Sequence, residues 1–293
     1  MRAPLAQEIF EPQTVEEVLE ILAKHGHDAS IIAGGTDLVV KLKDEVVKPG
    51  ILVDILGLPL DKIQGSRAGG FRIGATVTAS QMAKSPELRR ELPVLVEAAK
   101  HLGGPQTSEL ATVGGNICNA SPSGNLASVL MALDASVRLA GPNGERVVNL
   151  EDFFVGPGKT VMEPSEMLAE VVIPAIPSLY GTKYVKHTLR REMDIAIVGV
   201  AVLMIPEGKR VKKARIALSS VGPTILLAKK AQSILEGNLF SLELAKAAAK
   251  SAQEEASYID DVRSSAAYRR KVTPIVVKAA IVEAWAMAGG GEL

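Results

Sequence analysis

The stretch TVGGNICNASPSGN at residues 112–125 decides the fold, together with an earlier segment, AGGTDL at residues 33–38. Both contain adjacent glycines with a hydroxyl or carboxylate residue beside them. Glycine lacks Cβ and adopts positive φ, so its backbone N–H groups can approach a ligand closely. Consecutive amides that turn to one side form a concave site for anionic oxygens. The pair therefore predicts two loops that hold a long diphosphate from both sides, with further hydrogen bonds from Thr36 and Thr112.

A small parallel layer is predicted around the first glycine segment. Thr14 and Glu17 form a capping-box pattern ahead of a helix with an apolar face. Apolar runs at residues 29–33 and 51–55 indicate strands, and residues 37–43 indicate a short helix between them. This order places AGGTDL at the carboxyl end of a strand, where the positive end of the following helix favours a phosphate.

The remainder of the chain predicts antiparallel strands and further helices. A hairpin is expected across Pro142, Asn143 and Gly144. The last helix contains Pro274, a residue that can break a helix. The predicted strands are 71–78, 136–140, 146–150, 195–205 and 211–221, and the predicted helices are 93–102, 126–133, 225–235, 242–257 and 266–287.

Composition excludes several classes of protein. The chain has 293 residues, 47% of them hydrophobic, which is ample for a large core. It carries 33 basic and 33 acidic residues and only 3% aromatics, so it lacks the charge and the stacking residues of a nucleic-acid binder. Cys118 is the only cysteine and the four histidines are scattered, so we expect no disulfide, zinc site or iron–sulfur site.

The same inspection favours a soluble cytoplasmic protein. The first twelve residues, MRAPLAQEIFEP, lack the apolar core of a signal peptide. The longest apolar run, at residues 195–205, is too short to span a bilayer. A single cysteine is typical of a reducing compartment.

Three ordered segments resemble the signatures of a known family: residues 33–38, residues 112–125, and VKHTLRREMDIAIVGVAV at residues 185–202. Two further matches, FFVGPGKT at 153–160 and DDVRSSAAYRR at 260–270, extend the resemblance almost from end to end. The chain resembles the FAD-binding medium subunits of the molybdenum hydroxylases. That family includes xanthine dehydrogenases, aerobic CO dehydrogenases and N-heterocycle hydroxylases.

The resemblance implies an α+β fold of the vanillyl-alcohol-oxidase/PCMH type. In such a fold, a small parallel βαβ subdomain and a larger mixed or antiparallel α+β subdomain bind FAD. A C-terminal three-stranded antiparallel sheet with a helical cluster follows them. The expected boundaries are residues 1–57, 58–176 and 177–293.

The resemblance also identifies residues that would contact FAD. The amides of residues 33–38 and 111–115 would hold the diphosphate, and Leu102 and Leu168 would pack against the flavin or the adenine. Asp37 would stabilise its loop or bond to the ribityl or phosphate region, and its alternative role is a helix N-cap. The predicted FAD-binding residues are Ile31, Ile32, Ala33, Gly34, Gly35, Thr36, Asp37, Leu38, Leu102, Ala111, Thr112, Val113, Gly114, Gly115, Asn116, Ser121, Asn125, Leu168, Lys186, Asp194 and Ile195.

Three of these residues are expected at the flavin ring. Lys186 falls on the family lysine, and a cation there would stabilise the negative charge that develops on reduction. Its alternative is a solvated lysine in a basic run that also contains Lys183, Arg190 and Arg191. Asp194 would bond to the polar edge of the ring or anchor the basic run, and Ile195 would cover one face of the ring.

The sequence departs from the family pattern at two places. Asn125 stands where relatives usually have an aspartate placed to bond a ribose hydroxyl; asparagine keeps an acceptor and gains a donor. The family turn Gln-Ile-Arg-Asn is here Gln-Thr-Ser-Glu at residues 106–109, without its arginine. Any contact that this arginine makes in relatives is absent from this chain.

The resemblance implies an FAD-carrying electron-transfer subunit. Electrons would pass from a [2Fe–2S] cluster on a small subunit, supplied by a molybdopterin site on a large subunit, through FAD to NAD⁺ or another acceptor. No catalytic residue, general acid–base pair or metal ligand is expected on this chain. Two alternatives stay open: a self-contained flavin oxidase of the vanillyl-alcohol type, and a flavin-free assembly subunit of the same complex. The substrate and the acceptor are not marked by any motif.

Overall fold

The computed structural model describes residues 6–190 and 193–289. Its first elements are β1 (Glu8–Phe10), α1 (Val15–His25), a 3₁₀ turn (Gly26–Asp28), β2 (Ala29–Ile32), α2 (Leu38–Lys43) and β3 (Ile51–Asp54). They form a three-stranded parallel sheet in the order β1-β3-β2. The central strand β3 is apolar and largely buried, because a strand inside a parallel sheet is covered on both faces. The predicted parallel layer is confirmed, with the first glycine segment directly after β2.

The start of α1 differs slightly from the predicted capping box. Thr14 Oγ1 accepts a hydrogen bond from the Glu17 amide at 3.2 Å, as expected for an N-cap. The Glu17 carboxylate, however, accepts from the amide of Gln13 at 2.7 Å instead of that of Thr14. The N-cap is therefore present, but the Glu17 side chain binds the amide of the residue before the cap instead of the amide of the cap itself.

The second region is a five-stranded antiparallel sheet in the order β4-β5-β10-β6-β7, with helices on it and a small two-stranded hairpin, β8 with β9. Its elements are β4 (Ile63–Ser66), β5 (Gly70–Gly74), α3 (Ala79–Lys84), α4 (Pro86–Glu91), α5 (Pro93–Lys100), α6 (Pro105–Leu110), α7 (Val113–Cys118), α8 (Asn125–Ala132), β6 (Ser136–Gly141), β7 (Gly144–Asn149), α9 (Leu150–Phe153), β8 (Phe154–Gly156), β9 (Lys159–Thr160) and β10 (Met167–Ile173). The predicted 136–150 hairpin is confirmed. The predicted strand at 71–78 is shorter and ends at Gly74, because the chain turns there into α3.

The helices between residues 79 and 118 are short, and the sequence indicates only two of them: one at residues 93–102, and one that starts at Ser85 and Pro86, a cap followed by a first-turn proline. Three of them begin with a proline, at Pro86, Pro93 and Pro105. Proline suits the first helical position, where its missing N–H has no helical partner. Six-residue helices show too few turns for an apolar period to be recognised.

The third region is a four-stranded antiparallel sheet in the order β11-β12-β13-β14, covered by three helices. Its elements are β11 (Gly181–His187), β12 (Val198–Glu207), β13 (Arg210–Ser219), β14 (Leu226–Leu227), α10 (Lys229–Leu235), α11 (Leu242–Glu255) and α12 (Ala266–Met287). Three strands were expected, and the fourth, β14, has only two residues. The helix predicted from residue 225 begins later, because residues 226 and 227 pair with β13.

Pro274 does not break α12, so the predicted break is wrong. Proline cannot donate to the carbonyl four residues earlier, which here belongs to Arg270. Gln253 of α11 donates to that carbonyl through Nε2 at 2.7 Å. A side chain of the neighbouring helix thus satisfies the group that proline leaves without a partner.

Apolar packing joins regions that the sequence predicts as separate. The largest core contains Leu130 and Phe153 of the second region together with Tyr184 and Leu203 of the third. The boundaries at residues 57 and 176 therefore stay predictions. Within the described residues, no helix is long and apolar enough to cross a bilayer, and no group of three or more potential metal ligands is gathered.

A buried arginine connects α12 to the sheet of the third region. Arg269 is 2% exposed, and its Nη1 donates to the carbonyl oxygens of Ile197 at 2.9 Å and Ser220 at 2.8 Å. Its Nη2 donates to the Asp261 carboxylate at 2.8 Å. The DDVRSSAAYRR segment therefore has a structural role. We call Arg269 and its three partners, Ile197, Ser220 and Asp261, the clamp.

We expect Arg269→Ala to lower the free energy of unfolding by about 3 kcal/mol, because it leaves two buried carbonyls without a donor. The control is Lys271→Ala, an exposed position of the same helix, for which about 0.5 kcal/mol or less is expected. Urea unfolding of both variants measures the difference. Equal midpoints for the two variants would contradict the clamp.

Candidate FAD-binding cleft

The first glycine segment touches the backbone just ahead of the second. A methyl group placed on Gly34 would lie 1.7 Å from the carbonyl oxygen of Leu110, two residues before the second segment. No side chain fits in that space, so the contact requires glycine at position 34. Gly35 has a different reason to be glycine, because its φ is +67°. The segments therefore meet at one place despite their separation in sequence.

A cleft of about 240 Å³ lies between the segments. A more apolar cavity of about 310 Å³ adjoins it, since Ala33, Thr112 and Gly115 line both. We call this second cavity the apolar chamber; its walls include Leu22, Ile55, Met162 and Leu168. Among the predicted residues, the cleft is lined by Ile31, Ile32, Ala33, Gly34, Gly35, Thr36, Asp37, Leu38, Leu102, Ala111, Thr112, Gly115 and Asn116, and the chamber also by Gly114 and Leu168.

The first segment presents backbone donors that the protein itself does not use. Two of its carbonyls are engaged: the Val39 amide donates to that of Gly35 at 2.9 Å, and the Lys41 amide donates to that of Asp37 at 3.1 Å. Among the hydrogen bonds of the described residues, none is donated by the amides of residues 34–37. Residues 34–36 are half-buried and Asp37 is exposed, and half-buried amides normally have a partner. These four amides therefore suit an anionic ligand in the cleft.

The second segment is the first turn of α7, not an open loop. The amides of Val113 and Gly114 donate at 2.9 Å to the carbonyls of Val77 and Ala75, and that of Gly115 donates to Thr112 Oγ1 at 3.1 Å. The Ala111 amide also donates, to the Thr107 carbonyl at 2.7 Å, so four of the five amides expected to hold a diphosphate are engaged within the protein. The Thr112 hydroxyl keeps its own hydrogen for donation.

Gly114 and Gly115 are glycines for different reasons. A methyl group on Gly114 would lie 2.8 Å from the Ala75 carbonyl oxygen, so this glycine permits α7 to pack against the chain that follows β5. A methyl group on Gly115 would lie 2.9 Å from Thr112 Oγ1, the atom to which its amide donates. The bare backbone of Gly115 also forms part of the cleft wall.

Two polar side chains at the cleft have oxygens without a hydrogen-bond partner in the part of the chain that the structure describes. Asp37 occupies the N-cap position of α2, but its side chain makes no capping hydrogen bond. The Asn116 Oδ1 atom is buried and lacks a hydrogen-bond partner among the described residues. Buried polar atoms without a partner are uncommon in proteins. Together with the unused amides, they make the cleft fit a ligand that has both anionic and hydroxyl groups.

Lys186 and Asn125 line neither cavity, and both bind the same carbonyl. Lys186 Nζ lies 3.1 Å and Asn125 Nδ2 lies 2.7 Å from the carbonyl oxygen of His101. The next residue, Leu102, lines the cleft. An aspartate at position 125 has no N–H to donate to this oxygen. Asparagine therefore holds the backbone beside the cleft wall.

Asp194 organises its own loop instead of facing the cleft. Its carboxylate accepts from the amides of Arg190 at 2.9 Å, Ile195 at 3.0 Å and Leu189 at 3.1 Å. The backbone hydrogen bond from Arg190 is the main cause of a lowered pKa of this carboxyl group. Ile195 is 44% exposed. Arg191 of the predicted basic run lies outside the described residues.

Ser121 and Val113 also line neither cavity. Ser121 forms the turn before α8, where its carbonyl accepts from Gly124 at 3.0 Å. Val113 is fully buried in the core. The Gly-Lys-Thr sequence at 158–160 lies in the hairpin of β8 and β9, so it is not the phosphate loop of a nucleotide triphosphatase.

The structure adds cleft residues that the sequence analysis did not identify: Ser30, Lys41, Cys118 and Asn119. Lys41 Nζ donates to Asn119 Oδ1 at 2.6 Å. Lys41 stands four residues after Asp37 in a predicted helix, and this spacing is the signal that could have identified it. Burial raises the pKa of the Cys118 thiol to about 12, so the group is not a thiolate nucleophile at neutral pH.

Comparison with known proteins agrees with this geometry. Residues 5–176 match the model of the FAD binding domain in molybdopterin dehydrogenase, and residues 183–284 match that of the CO dehydrogenase flavoprotein C-terminal domain. The chain is 34% identical over 282 residues to the carbon monoxide dehydrogenase medium chain of Hydrogenophaga pseudoflava, covering 95% of this chain and 97% of the relative. It is 30% identical over 279 residues to a putative xanthine dehydrogenase FAD-binding subunit of Escherichia coli, covering 94% and 95% of the two chains.

A solved structure resembles the whole chain. It is carbon monoxide dehydrogenase from Hydrogenophaga pseudoflava, in a form which lacks the Mo-pyranopterin moiety of its molybdenum cofactor. Its matching chain superposes with a TM-score of 0.92 at 34% identity, covering 98% of this chain and 99% of that chain. The chain therefore belongs to the family of FAD-binding subunits of the molybdenum hydroxylases.

Proposed function

We propose that this chain carries FAD along the cleft and the apolar chamber, as the electron-transfer subunit of a molybdenum hydroxylase complex. The contact of Gly34 with Leu110 is the observation that carries the proposal, because it brings both glycine segments to one cavity. The unused amides of residues 34–37 would donate to the diphosphate, and the Thr112 hydroxyl would add a further bond.

The position of Lys186 supports an orientation for the cofactor. The lysine binds the carbonyl of His101 beside Leu102, so the flavin ring would lie at the Leu102 end of the cleft. The adenine would then occupy the apolar chamber against Leu168 and Ile31. In this arrangement Lys186 and Asn125 orient the wall beside the ring, and Ile195 covers the ring from the solvent side. FAD itself supplies the redox chemistry when bound.

The site supports electron transfer better than chemistry on an organic substrate. The one cysteine at the cleft is protonated at neutral pH, because burial raises its pKa to about 12. His187 Nε2 lies 3.2 Å from the Tyr268 hydroxyl, so this histidine already has a partner outside the cleft. The named relatives belong to complexes for carbon monoxide and for xanthine, which differ widely in chemistry. The substrate would therefore be selected by another chain.

We propose two partner chains and a cytoplasmic location. A small subunit would hold a [2Fe–2S] cluster and a large subunit would hold molybdopterin, with NAD⁺ or another acceptor receiving the electrons. Among the described residues, no three His, Cys, Asp or Glu side chains lie close enough together to hold a metal ion. The partner subunits would therefore hold the metals of such a complex. The alternatives, a self-contained flavin oxidase and a flavin-free assembly subunit, are separated by the experiments below.

Gly34→Ala should yield folded protein that has lost most of its bound FAD. The new methyl group would overlap the Leu110 carbonyl and push the two segments apart. The matched control is Gly57→Ala, where the nearest atom to an added methyl group is 4.0 Å away. Flavin absorbance per chain measures the loss, and circular dichroism confirms the fold. Wild-type flavin content in folded Gly34→Ala would refute the proposed site.

Lys186→Ala should lower the midpoint potential of the bound flavin, because a cation near the ring favours its reduced, more negative form. A loss of about 1.4 kcal/mol corresponds to about 30 mV for a two-electron couple. Lys186→Arg should retain the potential. The control is Lys183→Ala on the same strand, where Nζ pairs with Glu283 at 2.8 Å. If the Ala and Arg variants titrate alike, Lys186 has no electrostatic role.

The native complex should contain this chain with two others, together with iron and molybdenum. NAD⁺ added to the substrate-reduced complex should restore the oxidised flavin spectrum if NAD⁺ is the acceptor. Gel filtration with metal analysis and stopped-flow absorbance make these measurements. Reduction of the flavin in the isolated chain by a small alcohol or amine would instead favour a self-contained oxidase. A purified complex whose visible spectrum contains no flavin bands would favour the assembly role.

A further inference from the structure

Lys41 is placed at the junction of the two cleft walls. It follows Asp37 by four residues and Leu38 by three, so all three lie on one face of α2 and line the cleft. Its Nζ donates to Asn119 Oδ1 at 2.6 Å. Asn119 follows the last residue of α7 and also lines the cleft. The lysine thus extends from the first segment's helix to the second segment's helix.

Lys41 is the one cationic residue among the described ionisable residues that line the two cavities. The ionisable residues lining the cleft and the apolar chamber are Asp37, Lys41, Cys118 and Glu166. Glu166 is paired with Arg146, whose Nε lies 2.6 Å from its Oε1, and burial keeps the Cys118 thiol protonated at neutral pH. A diphosphate in the cleft would therefore face the Asp37 carboxylate and one cation, Lys41. Without that cation the repulsion between anions would be uncompensated.

Lys41 can bind an anion and keep its present contact. An ammonium group has three hydrogens, and the bond to Asn119 uses one. Asn119 fixes the position of the nitrogen, so less side-chain freedom is lost when a ligand binds. Hydrogen bonds from a charged donor to an anionic oxygen are about twice as strong as neutral ones.

We propose that Lys41, held in place by Asn119, is the cation that binds the diphosphate of FAD and sets much of the affinity for it. This inference rests on the proposed function, since it assigns a role at the same cleft. The neutral amides of residues 34–37 shape the anion site, and Lys41 supplies the charge. A purely structural role, in which Lys41 only joins α2 to α7, is the alternative that the test must separate.

The test compares three variants of the full chain, stripped of flavin and titrated with FAD at low and high salt. Lys41→Gln keeps a donor for Asn119 but loses the charge, so its Kd should rise about tenfold at low salt. The difference from wild type should shrink at high salt, because salt screens the lost interaction. Lys41→Arg should bind nearly as wild type. Lys43→Gln, an exposed position two residues later, should leave the Kd unchanged.

The outcomes separate this inference from the proposed function. Wild-type affinity in Lys41→Gln, or the same loss at low and high salt, would overturn the role of the charge while FAD binding itself stands. Failure of the unmodified chain to bind FAD at all would instead overturn the proposed function. The thermal unfolding midpoints of the flavin-free variants should agree within about 2 °C. A much lower unfolding temperature in Lys41→Gln, but not in Lys41→Arg or Lys43→Gln, would indicate the structural role.

Discussion

The close approach of the Gly34 backbone to the Leu110 carbonyl governs the site. A methyl group at Gly34 would lie 1.7 Å from that oxygen, so the two chain segments are separated by less than one side chain. This contact positions the unused amides after β2 beside the helix that begins with Thr112. It also leaves between them a cleft that is narrow enough for an extended ligand to touch both walls.

Packing between the second and third regions stabilises the part of the chain that contains the contact between Gly34 and Leu110. The helices of the second region pack into the same core as the third sheet, through residues such as Leu130 and Leu203. Arg215 of β13 adds a polar connection, since its Nε and Nη2 donate to the Met131 carbonyl at the end of α8 at 3.1 and 3.0 Å. The cleft and the third region are thus coupled through α8, so Lys186 of β11 is fixed relative to His101.

The four signature glycines have four separate physical functions. Gly34 permits contact between segments, Gly35 adopts positive φ, Gly114 permits packing against Ala75, and Gly115 donates to Thr112 Oγ1 while leaving the cleft open. Two similar motifs in sequence therefore form unlike structures: one is a loop whose amides at residues 34–37 have no acceptor among the described residues, and the other is the capped start of a helix. Both motifs line one cleft, because the hydrogen bond between Lys41 and Asn119 joins α2 to the end of α7.

The sequence by itself determined the local features. The glycine segment after a buried strand, the Thr14 cap and the 136–150 hairpin all depend on residues close together in the chain, whose propensities act locally. The family pattern also indicated most of the cleft lining. Tertiary structure alone decided which amides stay unused, that Asn125 binds His101, and that Lys41 reaches Asn119, which is 78 residues away. Such contacts depend on how distant segments pack against each other, and no local spacing in the sequence records that.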